Sequence, residues 1–284
     1  MLDESHHIEK EVSTVNRILC STGCLLGRPN GRNFNLLPNI APMLHCDGLE
    51  LLMYDTWYDK IPELTRAVKD CGKRVFTFHV EKNVGELISH YKLNEALDKM
   101  EINCALARDL GAELLILHLW NGIISDKNID YNIECYKNLE EIANKYDLCL
   151  TVENVVCHEK SPMAHMCALL ERYPLIKFTY DTKMADFHKE QDLIYEPNYR
   201  HVVKNFAHFH INDRLGEYKD WSNLRVLHLG DGSIDFDRFF SFIKESGYTG
   251  DFTTEATSFD RVTGEIDIGP LNDSLDKIRS YVNK

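Results

Sequence analysis

The segment Leu148-Cys149-Leu150-Thr151-Val152-Glu153-Asn154 has the pattern of a buried β-strand that ends in a carboxylate. Its aliphatic side chains recur at every second position and are expected on one face of the strand, whereas Thr151 and Glu153 are expected on the other. A packed core has no need of an acid at the C-terminal end of a strand. The pattern therefore indicates a functional role for Glu153.

Three later segments repeat this arrangement. These segments cover residues 176–181, 206–210 and 251–255, and they end on Asp181, His210 and Glu255. Together with Glu153 these residues form a set that we call the tetrad. Carboxylates and imidazoles are common metal ligands, and each one here ends its own strand. The repetition predicts that the four side chains share one site.

Eight strand–helix units follow one another along the 284 residues without a linker or a break in composition. The predicted strands cover residues 18–22, 48–54, 74–79, 113–119, 148–154, 176–181, 206–210 and 250–257. The predicted helices cover residues 35–44, 58–71, 92–110, 129–146, 163–172, part of 186–204, 236–247 and 271–282. Alternating strands and helices indicate a parallel sheet, and eight units favour closure into a (β/α)₈ TIM barrel. We therefore expect a single domain over residues 1–284, with a polar lead-in over residues 1–16.

The composition is typical of a soluble globular protein, with 44% hydrophobic and 27% charged residues. The longest apolar run, around residues 114–119, is too short to cross a bilayer, and the N-terminus lacks a secretion signal. The nine cysteines include no CxxC pair, which favours reduced thiols and a cytoplasmic location. The net charge of −13, without a basic cluster, argues against nucleic acid as a partner. A homo-oligomer is compatible with the sequence.

In a TIM barrel the C-terminal ends of the strands meet at one face, so the tetrad would converge there. Three carboxylates brought together without a cation would repel one another and lose hydration. One divalent cation relieves this repulsion, and the mixed oxygen and nitrogen donors suit Mn²⁺, Mg²⁺, Co²⁺ or Zn²⁺. No cysteine lies at these strand ends, which argues against a thiolate zinc site.

Several other polar residues are candidates with open alternatives. His79 and His118 end the third and fourth strands, where each would contact substrate, bind a second metal or simply form a hydrogen bond inside the barrel. His208 lies on the same strand face as His210 and is expected to pack beneath it. Glu50 lies within the second strand, where a role in the site and a role in a buried network are both open.

Five segments, read together, resemble the sugar isomerase/epimerase superfamily with xylose isomerase-like barrels. They are Thr151-Val152-Glu153-Asn154, Tyr180-Asp181-Thr182, the run from His208 to Asp213, the run from Leu229 to Asp235, and Thr253-Thr254-Glu255. This superfamily includes tagatose/psicose 3-epimerases, hydroxypyruvate isomerases, inosose dehydratases and endonuclease IV. The resemblance implies that the tetrad holds a single metal ion. It also implies that Glu153 and Glu255 transfer protons on a small keto or aldo sugar, or a related polyol, through a metal-stabilised enediolate.

The sequence departs from the superfamily pattern at two places. Many members have a histidine three residues after the strand-six aspartate, where this chain has Met184. Lys183 and His188 are the candidates to replace its contact with substrate. Endonuclease IV has an Asp-x-His pair where this chain has Leu224-Arg225-Val226, which argues against DNA repair.

Four further residues are candidates for contact with substrate because they follow strand ends or precede a glycine turn. Trp120, together with Asn121, follows the fourth strand and would form a wall of the pocket or pack beneath a lid. Arg214 would bind a substrate hydroxyl or phosphate, or form a surface salt bridge. His228 would contact substrate or form a local hydrogen bond in its loop.

The sequence thus predicts a metal-dependent sugar isomerase or epimerase. The alternative is a dehydratase of the inosose or dehydroshikimate type, which would use the same metal and base but expel a hydroxyl. An endonuclease IV-like hydrolase and a non-catalytic sugar-binding barrel are less favoured. The particular sugar, its phosphorylation, the metal and the oligomeric state are left open.

Overall fold

The computed structural model of the protein describes residues 16–283. The lead-in predicted over residues 1–16 lies outside this range except for Asn16, whose side-chain amide donates a hydrogen bond to the carbonyl of Gly250 at 2.6 Å. Between residues 16 and 283, no helix combines the length and the apolar composition that a membrane span requires.

Eight parallel strands form a closed barrel in which each strand pairs with the next and the last pairs with the first. The strands are β1 (Ile18–Ser21), β2 (Gly48–Leu52), β3 (Val75–His79), β4 (Leu114–Leu117), β5 (Cys149–Glu153), β6 (Lys177–Asp181), β7 (Phe206–His210) and β8 (Asp251–Thr254). The closed barrel confirms the predicted (β/α)₈ TIM barrel. Each parallel strand needs a crossover connection to reach the next, and the helices provide these connections.

The α-helices surround the barrel. They are α1 (Leu37–Ile40), α2 (Ile61–Lys69), α3 (Asn83–Ser89), α4 (Leu93–Leu110), α5 (Gly122–Lys127), α6 (Ile129–Lys145), α7 (Pro162–Arg172), α8 (Thr182–Phe187), α9 (Arg200–Val203), α10 (Phe236–Glu245) and α11 (Gly269–Val282). Gly111 ends α4 in the left-handed conformation, with φ of 82°, as the sequence predicts. The short helices α3 and α5 were not predicted.

The least regular helical regions contain prolines. The helix predicted over residues 35–44 is divided into two 3₁₀ turns and α1, because Pro38 and Pro42 cannot donate backbone hydrogen bonds. Between residues 186 and 204, one 3₁₀ turn precedes Pro197 and a second begins at it, before α9 begins. The helix after β6 begins earlier than predicted, at Thr182, because the side chain of Asp181 accepts hydrogen bonds from its first turn.

The two faces of each strand have different environments. Leu150 and Val152 belong to the hydrophobic core between the barrel and its helices. Inside the barrel, the hydroxyls of Thr151 and Thr179 lie 2.7 Å apart, and the imidazole of His208 lies 2.9 Å from the hydroxyl of Thr253. This buried polar layer lies directly below the strand ends and supports the side chains that project there.

Candidate active site

The structure brings the four tetrad residues together at the C-terminal face of the barrel. Glu153, Asp181 and His210 are the last residues of β5, β6 and β7, and Glu255 directly follows β8. One potential ligand atom from each residue lies within 4.8 Å of the others. Three of the side chains are buried, whereas 15% of the Glu255 side chain is exposed. The donor set therefore has the composition and compactness of a site for one divalent cation.

Asp181 is held by backbone and side-chain donors. Its Oδ1 accepts hydrogen bonds from the backbone N–H groups of Lys183 and Met184, at 2.7 and 3.1 Å, so that it caps α8. Its Oδ2 accepts a hydrogen bond from the side-chain amide of Asn212 at 2.9 Å. The backbone N–H of Asp181 donates to Oδ1 of Asn154 at 2.6 Å. These contacts fix the carboxylate where β6 ends.

Burial is the main reason why the pKa of Asp181 is raised. Burial, aided by the charges of Glu153 and Glu255, outweighs the effect of Lys183 and raises this pKa to about 6. A carboxyl group with this pKa keeps a proton over part of the mildly acidic range. A cation bound to the tetrad would favour its ionised form.

His210 connects the tetrad to the second strand. Its Nδ1 lies 3.0 Å from Oε1 of Glu153 and 3.4 Å from Oε2 of Glu255, and its Nε2 lies 3.1 Å from Oε2 of Glu50. Burial alone would lower the pKa of His210, but these three carboxylates outweigh burial and hold it well above its ordinary value. In the absence of a cation the ring is therefore doubly protonated and donates to carboxylates on both sides.

Glu50 lies in a buried hydrogen-bond network that includes His210 of the tetrad. The two roles that the sequence left open for Glu50, in the site and in a buried network, are therefore combined. Glu50 is fully buried, and its Oε2 also accepts a hydrogen bond from the hydroxyl of Thr77 at 3.2 Å and lies 3.6 Å from Nε2 of His208. Burial would raise the pKa of Glu50, but His210 and His208 outweigh it and hold that pKa well below its ordinary value. Glu50 thus remains ionised beneath the tetrad.

Asn212 is a site residue that the sequence analysis did not select. Its amide donates to Oδ2 of Asp181 at 2.9 Å and to Oε2 of Glu255 at 3.0 Å, and its carbonyl accepts the backbone N–H of Glu255 at 2.8 Å. Asn212 therefore sets the distance between two tetrad carboxylates. Its position two residues after His210 is the feature of the sequence that could have identified Asn212 as a site residue.

His79 and His118 both reach the tetrad. Nε2 of His118 lies 2.6 Å from Oε2 of Glu153 and 3.2 Å from Nε2 of His79, whose Nδ1 lies 2.9 Å from the carbonyl of Val80. Burial outweighs the charge of Glu153 and lowers the pKa of His118 to about 4. Because a carbonyl can only accept, Nδ1 of His79 donates its hydrogen to the carbonyl of Val80. His118 is therefore a neutral donor to Glu153.

A cavity of about 510 Å³ opens above the tetrad. Glu153 and Glu255 line it, whereas Asp181 and His210 lie beneath its surface. The other predicted residues that line it are His118, Asn121 and Lys183, together with Met184 at the position where many superfamily members have histidine. Arg28 and Arg32, from the glycine-rich loop after β1, also line the cavity.

Trp120 and His188, predicted as substrate contacts, do not line this cavity. The indole of Trp120 is buried and donates to the carbonyl of Val155 at 2.8 Å. Nε2 of His188 accepts the backbone N–H of Cys157 at 2.9 Å. Both side chains are occupied in holding the segment after β5, so their positions do not support contact with substrate.

Arg214 and His228 also lie away from the cavity. The guanidinium of Arg214 is fully buried and forms an ion pair with Asp186 at 2.6 Å. It also donates to the carbonyl groups of Gly216 and Glu217, so it fixes the loop after β7 from within. Nδ1 of His228 lies 3.3 Å from the hydroxyl of Ser274 on α11, so this contact joins two distant segments and is not the local one considered from sequence.

The glycine turn that carries part of the superfamily pattern has a structural role. The carboxylate of Asp213 accepts the backbone N–H groups of Gly230 and Gly232, each at 2.9 Å. A β-carbon at Gly232 would lie 2.2 Å from Oδ1 of Asp213, closer than van der Waals contact allows. The glycine at position 232 is therefore required for the backbone to close around the carboxylate.

A second group of potential metal ligands lies in the interior, away from the cavity. Sγ of Cys157 is 3.4 Å from Nδ1 of His165, whose Nε2 is 3.8 Å from Oδ1 of Asp126. Burial raises the pKa of the Cys157 thiol and lowers the pKa of His165 to about 4. In this state the group consists of a thiol and a neutral imidazole packed between α5 and α7.

Solved structures with the same fold include several sugar epimerases. The chain superposes on the 3-keto-D-glucoside 4-epimerase of E. coli with a TM-score of 0.67 and 17% identity, covering 95% of this chain and 100% of that one. An L-ribulose 3-epimerase superposes with a TM-score of 0.64 and 18% identity, covering 95% of this chain and 86% of that one. The D-allulose 3-epimerase of Methylomonas sp. superposes with a TM-score of 0.67 and 15% identity, covering 94% of this chain and 98% of that one.

Sequence comparison with curated proteins gives no match. The family model described as xylose isomerase-like TIM barrel, however, matches residues 43–280, which include seven of the eight strands and the whole tetrad. The closed eight-stranded barrel agrees with that match. The chain therefore belongs to the family of xylose isomerase-like TIM barrels.

Proposed function

We propose that the protein is a metal-dependent isomerase or epimerase of a small keto or aldo sugar, or of a related derivative. The observation that carries the proposal is that Glu153 and Glu255, from different strands, line one cavity and have carboxylate oxygens within 4.8 Å of each other. Moving a proton within a sugar requires one group to remove it and a group to return it. Similar barrels among the solved structures are named as sugar epimerases, which supports the same class of reaction.

The tetrad fits a divalent cation, with Mn²⁺, Mg²⁺, Co²⁺ and Zn²⁺ as candidates. Nδ1 of His210 faces Glu153 and Glu255, so it is the nitrogen available to the ion, while Nε2 donates to Glu50. When bound, such an ion polarises a substrate carbonyl and its neighbouring hydroxyl, which acidifies the C–H bond between them.

The two glutamates are held so that each can accept a proton. Oε2 of Glu153 accepts from His118, and Oε2 of Glu255 accepts from Asn212 at 3.0 Å. These neutral donors orient the carboxylates without neutralising their charge. We propose that one glutamate acts as the general base and that the other returns the proton, with the substrate in the cavity between them.

Deuterium exchange tests this proposal. The metal-loaded protein is incubated with a panel of ketoses and aldoses in D₂O, and incorporation beside the carbonyl is followed by NMR. We expect exchange in the wild type and its loss in Glu153→Gln and in Glu255→Gln. Glu245→Gln, an exposed position at the end of α10, is the control. Normal exchange in both glutamine variants of the cavity would refute the proposed roles, and a product lighter by one water would indicate a dehydratase.

A further inference from the structure

The cavity contains positively charged side chains that have no acidic partner. Arg28, Lys82 and Lys183 line it, and within residues 16–283 none of their charged groups forms an ion pair or a hydrogen bond. We propose that the substrate carries an anionic group, a carboxylate or a phosphate, and that Lys183 pairs with it. This inference rests on the proposed function and narrows its substrate class.

The acidic residues around the cavity are already occupied. Oδ1 of Asp55 forms an ion pair with Arg32 at 2.8 Å, and Oε2 of Glu81 forms one with Lys99 at 2.7 Å. The two remaining acids that line the cavity belong to the tetrad. No carboxylate lining the cavity therefore remains to neutralise the three cations. This is unusual in a chain whose net charge is −13.

Lys183 is the most informative of the three because it is the buried one. Only 6% of this residue is exposed, whereas Arg28 and Lys82 are solvated at the rim. Most of Lys183 is enclosed by protein and its side chain lines the cavity, whereas lysines buried to this extent are usually paired. An anionic group of the substrate would provide that partner. Arg28 and Lys82 would attract the same ligand from solution.

Lys183 is also electrostatically close to the reacting centre. It lies two residues after Asp181, and its charge opposes the rise in the pKa of that carboxyl group. A cation bound to the tetrad would add further positive charge beneath the cavity. The complete site would then favour an anionic sugar derivative over the neutral sugar with the same carbon skeleton.

Matched substrate pairs test the inference. We compare a ketopentose with its 5-phosphate, and a ketohexose with the corresponding ketouronate, in the deuterium exchange assay with metal-loaded protein. The anionic member of at least one pair should have a kcat/KM higher by about tenfold or more, as expected for one charge-assisted contact. The pair that shows the preference distinguishes phosphate from carboxylate.

Variants of Lys183 separate charge from shape. Lys183→Gln should raise KM for the anionic substrate about tenfold, with a smaller effect on its neutral partner, and Lys183→Arg should restore most of the preference. Lys244→Gln, at an exposed site on α10, is the matched control. Thermal melting verifies that all variants are folded.

The outcomes distinguish the two proposals. Exchange with equal or better use of the neutral substrates, or a preference that survives in Lys183→Gln, would overturn the inference and leave the proposed function standing. Absence of exchange with every substrate would refute the proposed function. In that case, calorimetry with the same pairs of compounds would test whether Lys183 binds the anionic group. Equal affinities of wild type and Lys183→Gln for the anionic compounds would overturn the inference too.

Discussion

The carboxylate of Glu50 lies 3.1 Å from Nε2 of His210, although the two residues are 160 positions apart in the chain. This contact would keep a hydrogen on Nε2 and leave Nδ1 as the nitrogen that could hold a cation. A carboxylate behind a metal-binding histidine also increases the basicity of the ring. We therefore expect Glu50 to act as a positioning residue for His210.

Glu50→Gln should weaken metal binding without removing a ligand. We expect the dissociation constant for Mn²⁺ or Zn²⁺ to rise about 10- to 100-fold, as is typical when such a partner of a ligating histidine is lost. Equilibrium dialysis with metal analysis measures the effect. Glu63→Gln, on α2, serves as the control. Unchanged affinity in Glu50→Gln would contradict the positioning role.

Metal removal should destabilise the protein. Chelation leaves three carboxylates of the tetrad close together, and a ligand at about 1,000 times its dissociation constant stabilises the folded state by about 4 kcal/mol. Urea unfolding with and without each of the four candidate ions should reveal a difference of this order for at least one of them. If none of the ions shifts the unfolding midpoint, the tetrad does not bind a divalent cation in solution.

Arg214→Met should lower the free energy of unfolding, with little direct effect on substrate binding. It leaves Asp186 buried without its partner, and loss of one member of a buried ion pair costs about 3–5 kcal/mol. Urea unfolding measures this loss, and KM values for any substrate found test the binding role expected from sequence. A stable Arg214→Met variant with a greatly raised KM would instead favour direct contact with substrate.

Gly232→Ala should disrupt the turn around Asp213. The added methyl group would overlap Oδ1 of Asp213, and a forced shift of this kind in a packed region typically costs about 1–3 kcal/mol. Asp231→Ala, at the exposed neighbouring position, should cost much less. Thermal melting of the two variants provides the comparison, and equal melting temperatures would show that the turn can relax.

Acid should destabilise the fold partly through His188. Burial, aided by the charge of Lys219, lowers the pKa of His188 from 6.5 to about 4 in the folded state. The unfolded chain binds a proton first, so the stability that His188 contributes is present above pH 6.5 and is lost as the pH falls towards 4. His188→Gln preserves an acceptor for the N–H of Cys157 but cannot titrate.

Proton uptake on unfolding tests this sign. Between pH 6.5 and 4, His188→Gln should take up fewer protons on unfolding than the wild type, by up to about one. The pH dependence of the unfolding free energy, measured on metal-free protein, provides both values. Equal slopes in the two proteins would show that His188 titrates normally in the folded state.

The sequence predicted every strand, and the long helices α4, α6 and α7, to within a few residues. The predicted strand over residues 148–154 became Cys149–Glu153, because the two-residue period of a strand is visible in a short segment. The helix after β6 was placed too late, since Asp181 had been interpreted only as a metal ligand. The structure adds that Oδ1 of Asp181 caps α8, which begins at Thr182.

The candidate site was only partly accessible from sequence. The C-terminal ends of the strands of a TIM barrel meet at one face, so the convergence of the tetrad could be anticipated from the position of each residue in its strand. Residues in loops have no such constraint. Arg214 and Trp120 were selected because they follow strand ends, but the direction of their side chains depends on what packs around them, and both turn into the interior.

The sequence by itself determined the barrel and the four strand ends that carry metal-ligand side chains, because both follow from local periodicity and chain order. Only the tertiary structure decided that Glu50 supports His210, that Asn212 bridges Asp181 and Glu255, and that Lys183 lines the cavity without a partner. These contacts depend on barrel closure and on the register of strands distant in sequence, which no local pattern specifies.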